Sequence, residues 1–112
     1  MKVRSIAALT FGVSIVLVAT PAAAKTLDSY SSGGHAFSYS TNRSAAITDT
    51  LADGDEVYAN YQRTGENLLR VTNHNGNGST AYSANRTPAV FRIQACTELD
   101  FVPDSCGAYD SN

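Results

Sequence analysis

Apolar residues follow two different patterns along the chain. From residue 6 to residue 19 the chain is almost continuously apolar; Lys2 and Arg4 precede this run, and small residues follow it. A transmembrane helix needs about 20 apolar residues, so a shorter run with a basic start and an alanine-rich end is typical of a cleavable signal peptide. The sequence predicts a signal peptide at 1–24 and a single secreted, extracellular domain at 25–112.

After residue 24 no apolar residues recur at helical spacing, and alternation of apolar and polar residues indicates strands. Six strands are predicted, at 36–41, 46–52, 56–63, 68–72, 79–83 and 89–97. The dipeptide Asp53-Gly54 predicts a tight hairpin between the second and third of them, because both central residues of a type I′ turn need a positive φ. The predicted fold class is all-β, a small antiparallel sandwich or barrel of about six strands.

One face of each predicted strand should form the core. Each such side chain contributes about 1.5 to 3 kcal/mol on burial. Asp49 falls within the second predicted strand, where a carboxylate is tolerated only near a rim or an edge. The predicted inward set is Phe37, Ile47, Leu51, Val57, Tyr61, Leu69, Val71, Tyr82, Phe91, Ile93 and Phe101.

The sequence contains two cysteines, Cys96 and Cys106. In a small exported domain an even pair favours a disulfide over a metal or redox site. Closing a loop of this length stabilises the fold by roughly 3 kcal/mol, a large share for a domain with a thin core. The two cysteines are therefore predicted to form a disulfide that constrains the C-terminal region.

The charge of the predicted mature segment excludes some functions. It keeps six Lys and Arg residues against all ten carboxylates, so its formal charge is −4, compared with −2 for the whole chain. A mildly acidic surface without a basic stripe argues against binding of nucleic acid or anionic lipid. We expect a monomer without a stable membrane anchor.

Candidate catalytic and metal-binding residues are few. His35 and His74 are the two histidines, and no nucleophile motif accompanies either, so no catalytic residue, cofactor or metal is predicted and the domain is not expected to be an enzyme. The acidic segment Asp53–Glu56 could supply carboxylate oxygens to calcium, but the spacing of its acidic residues fits no EF-hand loop. A hairpin tip with solvent-facing acids is the favoured interpretation, and calcium stays an alternative.

Tyr58 and Asn60 form the candidate binding surface. In the third predicted strand they lie on the face opposite Val57 and Tyr61. If that face is open, the tyrosine ring could stack on a sugar or a protein and the amide could read hydroxyl groups. The alternative is that Tyr58 is a half-buried edge residue.

Several short motifs resemble a group of small exported actinobacterial proteins. They are Asp53-Gly54 followed by the strand Val57-Tyr58-Ala59-Asn60-Tyr61, the glycine-rich loop after Leu69, and Arg92-Ile93-Gln94-Ala95-Cys96 with Cys106. The resemblance covers most of the predicted mature chain. It implies an extracellular β-fold with a C-terminal disulfide, and it assigns no functional residues.

Two functions remain open from the sequence. The first is non-enzymatic binding of an extracellular protein or glycan through loops and sheet edges. The second is inhibition of extracellular proteases or other hydrolases, in which the loop from Thr97 to Ser105 would enter the enzyme's cleft in a preorganised state.

Overall fold

A computed structural model describes residues 25–112, and the predicted signal peptide at 1–24 lies outside the described residues. The described chain contains strands and no α-helix, and none of its segments is a helix able to cross a membrane. The strands are β1 (Asp28–Ser31), β2 (Gly34–Tyr39), β3 (Ser44–Asp49), β4 (Val57–Arg63), β5 (Leu68–Asn73), β6 (Thr80–Tyr82), β7 (Val90–Thr97), β8 (Ser105–Cys106) and β9 (Asp110–Ser111).

The strands form two antiparallel sheets. One sheet has the order β1-β2-β3-β6; the other has the order β9-β7-β4-β5, with the short β8 also paired to β7. Strand β4 is central in the second sheet, since Tyr58 lies opposite both Thr72 of β5 and Cys96 of β7. This arrangement is a small β-sandwich, which confirms the predicted fold class.

The core lies between the sheets, and four of its ten buried residues are alanines. In β4, Val57, Ala59 and Tyr61 alternate inward as predicted, because successive side chains of a strand point to opposite faces. They meet alanine, leucine, isoleucine and valine side chains from other parts of the chain. The buried cluster is Leu27, Ala36, Ala45, Ile47, Val57, Ala59, Tyr61, Val90, Ile93 and Ala95, with Val71 and Ala81 packed against it.

Part of the predicted inward set was wrong. Leu51, Leu69, Tyr82 and Phe101 are exposed, and Phe37 and Phe91 are half-buried. In β2 the inward positions are Gly34, Ala36 and Ser38, one residue out of phase with the prediction, so Phe37 faces outward. In β7 the pairing with β4 shifts between Gln62 and Arg63, and this bulge places Val90 inside instead of Phe91.

The predicted hairpin at Asp53-Gly54 was also wrong. Strands β3 and β4 belong to different sheets, so residues 50–56 form a crossover between the two layers. Gly54 does have a positive φ, of 76°, as the turn signal requires. The dipeptide therefore marks a chain reversal, but the strands it joins do not pair.

Two polar residues are buried at opposite ends of the sandwich. Asp49 ends β3, and its Oδ1 accepts a hydrogen bond from Leu51 N at 3.1 Å, which accounts for a carboxylate in this strand. Arg63 ends β4 and is 1 % exposed. Its guanidinium donates to four backbone carbonyls, those of Arg43, Ala84, Arg86 and Pro88, at 2.6 to 3.0 Å.

Candidate functional site

The outer surface of the β1-β2-β3-β6 sheet is aromatic. Because the inward positions of β1 and β2 are small residues, the alternate positions carry the rings outward. Tyr30, Tyr39 and Tyr82 have exposed fractions of 63 %, 41 % and 55 %. We call this surface the aromatic face; its members are Tyr30, His35, Phe37, Tyr39 and Tyr82.

The rings of the aromatic face contact one another across strands. Tyr30 and His35 are directly opposite in the register and stack with centroids 4.4 Å apart and planes 3° apart. His35 also contacts Phe37 at 5.1 Å, and Tyr39 meets Tyr82 edge to face at 5.2 Å. Aromatic pairs of this kind contribute about 0.5 to 1.5 kcal/mol each beyond area burial. The contacts restrict the positions that the rings can adopt.

Polar groups lie beside the rings, and the strands that carry the rings contain no lysine or arginine. His35 Nε2 is 2.8 Å from Asp28 Oδ1, and the hydroxyls of Thr48 and Thr80 are 2.7 Å apart on the same side of the sheet. None of the four strands β1, β2, β3 and β6 contains lysine or arginine. This face therefore offers rings, hydroxyls and a single carboxylate.

A groove continues the aromatic face over the β1 edge. It has a volume of about 440 Å³ and is lined by Asp28, Tyr30, Tyr109 and Asp110 among others. The stack with His35 covers one face of Tyr30, and Tyr30 remains exposed at the edge of the sheet toward the groove. On the other wall, the Arg92 guanidinium lies 4.5 Å from the Tyr109 ring centroid.

Ion pairs and close packing fix the walls of the groove. Asp110 Oδ1 is 2.7 Å from Lys25 Nζ, and Asp110 Oδ2 accepts a hydrogen bond from Asp28 N at 2.9 Å. The Lys25 ammonium, followed by backbone donors, lowers the pKa of Asp110. A Cβ atom at Gly107 would lie 1.8 Å from the Tyr30 carbonyl oxygen, so only glycine allows this approach of the two segments.

The sequence-predicted surface, Tyr58 and Asn60, lies on the outside of the other sheet and is largely covered. Tyr58 is 4 % exposed: the Arg70 guanidinium lies 3.8 Å from its ring centroid, and its hydroxyl donates to Asp104. Asn60 is half-buried and exchanges hydrogen bonds with Gln94 and Arg70. The Tyr58 ring therefore has little open surface, and its role in binding stays a prediction.

Tyr58 should make stability depend on alkaline pH. Burial first, and then the hydrogen bond to Asp104, raise the pKa of the Tyr58 phenol above its ordinary value of 10.0. A raised pKa in the folded state gives stability that is complete below about pH 10 and is lost as the pH rises through the folded pKa. We expect Tyr58→Phe to flatten the decline in unfolding free energy between about pH 9 and pH 11, measured by urea titration. Tyr82→Phe is the exposed control, and equal slopes for Tyr58→Phe and wild type would contradict this assignment.

The remaining sequence candidates are placed as follows. His74 Nδ1 is 2.7 Å from Glu56 Oε2 at the surface, and His35 belongs to the aromatic face. In the acidic segment, Asp53 Oδ1 accepts a hydrogen bond from Asp55 N at 3.0 Å. Across residues 25–112, no three His, Cys, Asp or Glu side chains are grouped so that they could hold a metal ion.

The predicted disulfide is confirmed. Cys96 of β7 and Cys106 of β8 lie directly opposite each other and are bonded. The bond closes the loop 97–105, and Glu98 N donates to Glu56 O at 2.9 Å at the base of that loop.

Sequence reasoning missed the aromatic face. The sequence contains the alternation His35-Phe37-Tyr39, but the prediction places Phe37 on the core side, leaves His35 outside the strand 36–41, and assigns Tyr30 to no strand. The small residues between these rings were the signal that could have reversed the assignment.

Fold and site together define a small disulfide-containing β-sandwich with one aromatic sheet face. The chain matches no protein-family model, no curated protein and no solved structure.

Proposed function

We propose that this domain is secreted and binds an uncharged polysaccharide outside the cell, without enzymatic activity, through the aromatic face and its adjoining groove. The signal-like pattern at 1–24 and the disulfide support secretion. We also propose that the chain belongs with the small exported actinobacterial proteins that it resembles. The observation that carries the binding proposal is the exposure of Tyr30, Tyr39 and Tyr82 on one sheet face without cations.

Ring chemistry supports a sugar ligand. The C–H groups on the flat side of a pyranose are apolar and slightly positive, and the face of an aromatic ring is negative, so the two surfaces attract. Tyrosine also brings a hydroxyl that can bond to the sugar's hydroxyls. Rings already held by cross-strand contacts lose little conformational freedom on binding, which favours affinity.

Charge supports a neutral polymer rather than an anionic one. A polyanion would need free Lys or Arg on the binding surface; the four strands of this sheet contain neither, and at the groove Lys25 is paired with Asp110 and Arg92 lies against the Tyr109 ring. In contrast, Asp28, Thr48 and Thr80 can accept hydrogen bonds from sugar hydroxyls. The groove beside Tyr30 lets a chain lying on the face continue over the β1 edge.

The test is retention of the purified domain 25–112 on insoluble cellulose and on chitin, with polygalacturonate as the anionic comparison. We expect retention on a neutral polymer and much less on the anionic one. Tyr30→Ala combined with Tyr82→Ala should weaken binding by about tenfold or more, corresponding to about 1.4 kcal/mol. Both residues are exposed, so the fold should survive, and circular dichroism checks it.

Phe101→Ala is the matched control, since it removes an exposed ring that lies off this face. It should leave polysaccharide binding unchanged. Failure of wild type to bind either neutral polymer, or equal binding by the double tyrosine variant, would refute the proposal.

A further inference from the structure

The loop closed by the disulfide ends in an apolar apex. Phe101 is 104 % exposed and its neighbour Val102 is 56 % exposed, although both are large apolar residues. We call Phe101 and Val102 the apolar apex. Exposed apolar groups that adjoin one another on a held loop are typical of surfaces that bind a partner.

The backbone of this loop is held in place. The disulfide Cys96–Cys106 closes it, Glu98 N donates to Glu56 O, and Asp104 accepts the hydrogen bond of Tyr58. Phe101 has a φ of 63°, in the left-handed region that non-glycine residues seldom adopt. Unusual backbone of this kind persists only where the surroundings determine it, and it is frequent at functional sites. The loop therefore holds the backbone of Phe101 in place and leaves its side chain in solvent.

The charged residues of the loop and of the crossover are all acidic, and the nearby Arg70 guanidinium is stacked on the Tyr58 ring. Glu98, Asp100 and Asp104 belong to the loop itself, and neither the loop 97–105 nor the crossover 50–56 contains lysine or arginine. A depression beside the apex is lined by Gly54, Asp55, Glu56, Glu98 and Asp100. Such a surface repels acidic partners and attracts basic ones at low ionic strength.

We propose that the apolar apex docks a second extracellular protein that presents apolar side chains beside arginine or lysine. The apolar side chains of the partner would pack on Phe101 and Val102, and its cations would face the carboxylates around them. This site is separate from the aromatic face, because it extends from β7 of the other sheet.

The backbone conformation also bears on the alternative of hydrolase inhibition. A segment that binds by pairing as an extended strand has a negative φ, whereas Phe101 has a positive one. The loop presents Phe101 as a wedge. Inhibition of a hydrolase would thus require obstruction of its cleft by this wedge, not binding as an extended strand.

The experiment uses a short amphipathic peptide with leucine and arginine on one helical face, titrated into the ¹⁵N-labelled domain. Two matched peptides carry citrulline for arginine or serine for leucine. We expect amide shifts at residues 98–102, and affinity about tenfold lower for each altered peptide. Phe101→Ser in the domain should produce a similar loss, because it removes the apolar anchor.

Charge position is tested with two single neutralisations. Asp100→Asn should weaken binding and reduce its salt dependence, whereas Glu66→Gln, on the turn between β4 and β5, should do neither. Absence of binding, undiminished affinity of the serine peptide or of the Phe101→Ser variant, or equal effects of Asp100→Asn and Glu66→Gln would each overturn the proposal. Retention on cellulose and chitin is measured in parallel. The peptide titration and the polysaccharide retention can therefore fail independently, and each result tests its own proposal.

Discussion

Replacement of Arg63 by methionine is expected to lower the free energy of unfolding by about 3 kcal/mol. Methionine keeps much of the buried volume but removes every hydrogen bond from the guanidinium. The Arg43 and Ala84 carbonyls retain other donors, Arg86 N at 3.0 Å and Ser83 Oγ at 3.3 Å. Among the described residues, the Arg86 and Pro88 carbonyls have Arg63 as their donor and would lose it. An unsatisfied, partly buried acceptor costs about 1 to 3 kcal/mol.

Removal of the buried charge has an opposing effect on stability, which we expect to be smaller than the loss of the hydrogen bonds. Arg63 is a buried cation without a carboxylate within ion-pair distance in the described chain, and its Nε has no hydrogen-bond partner, so its removal also relieves a desolvation penalty. We expect the lost hydrogen bonds to outweigh this relief, because the guanidinium bridges three separate segments, at 43, 84–88 and the end of β4.

Urea unfolding of three variants measures the effect. Arg63→Lys should be intermediate in stability, since an ammonium is a single point and cannot reach all four carbonyls. Arg43→Met is the matched control; its side chain is exposed and bonds only to Asn85 Oδ1, so its loss should cost little. Equal stability of Arg63→Met and wild type would show that water or the backbone replaces the guanidinium without cost.

Loss of the disulfide is expected to have a comparable effect, about 3 kcal/mol for Cys96→Ala combined with Cys106→Ala. The bond links positions separated by 10 residues and restricts the unfolded chain. It also holds the short strand β8 on β7, where only two residue pairs form. Without it, amide exchange should rise through 97–105, since so short a pairing holds weakly.

Reduction of wild type by a thiol provides the control, because it breaks the bond without changing a residue. The double variant and the reduced protein should both unfold at lower urea. The polysaccharide binding that we propose for the aromatic face, on the other sheet, should be unchanged while the protein is folded. If the reduced and oxidised proteins unfold at the same urea concentration, the bond does not stabilise the fold.

Local patterns in the sequence predicted the strands well where one face is clearly apolar. The predicted strands 56–63 and 89–97 lie within one residue of the observed limits of β4 and β7. The disulfide followed from counting cysteines. These features depend on neighbouring residues, so local reasoning suffices for them.

Pairing between distant segments was not predictable in the same way. The turn signal at Asp53-Gly54 is equally compatible with a hairpin and with a crossover, and the choice depends on β7 taking the place beside β4. The burial of Arg63 could not be predicted from neighbouring residues, because its four hydrogen-bond acceptors lie 20 to 25 positions away in the sequence. Tyr58 was assigned to the outer face, but its cover by Arg70 and Asp104 depends on two other parts of the chain.

The alanines of the core have a consequence for the distance between the two sheets. Ala36, Ala45, Ala59 and Ala95 occupy facing positions in the two sheets, with Gly34 and Ser38 beside them in β2. Tyr61 is the one aromatic side chain in this buried cluster, and the rings of the aromatic face lie outside it. Protein interiors are close-packed, so a longer side chain at one of these alanines would push the two sheets apart or distort its neighbours. The alanines therefore fix the spacing between the two sheets.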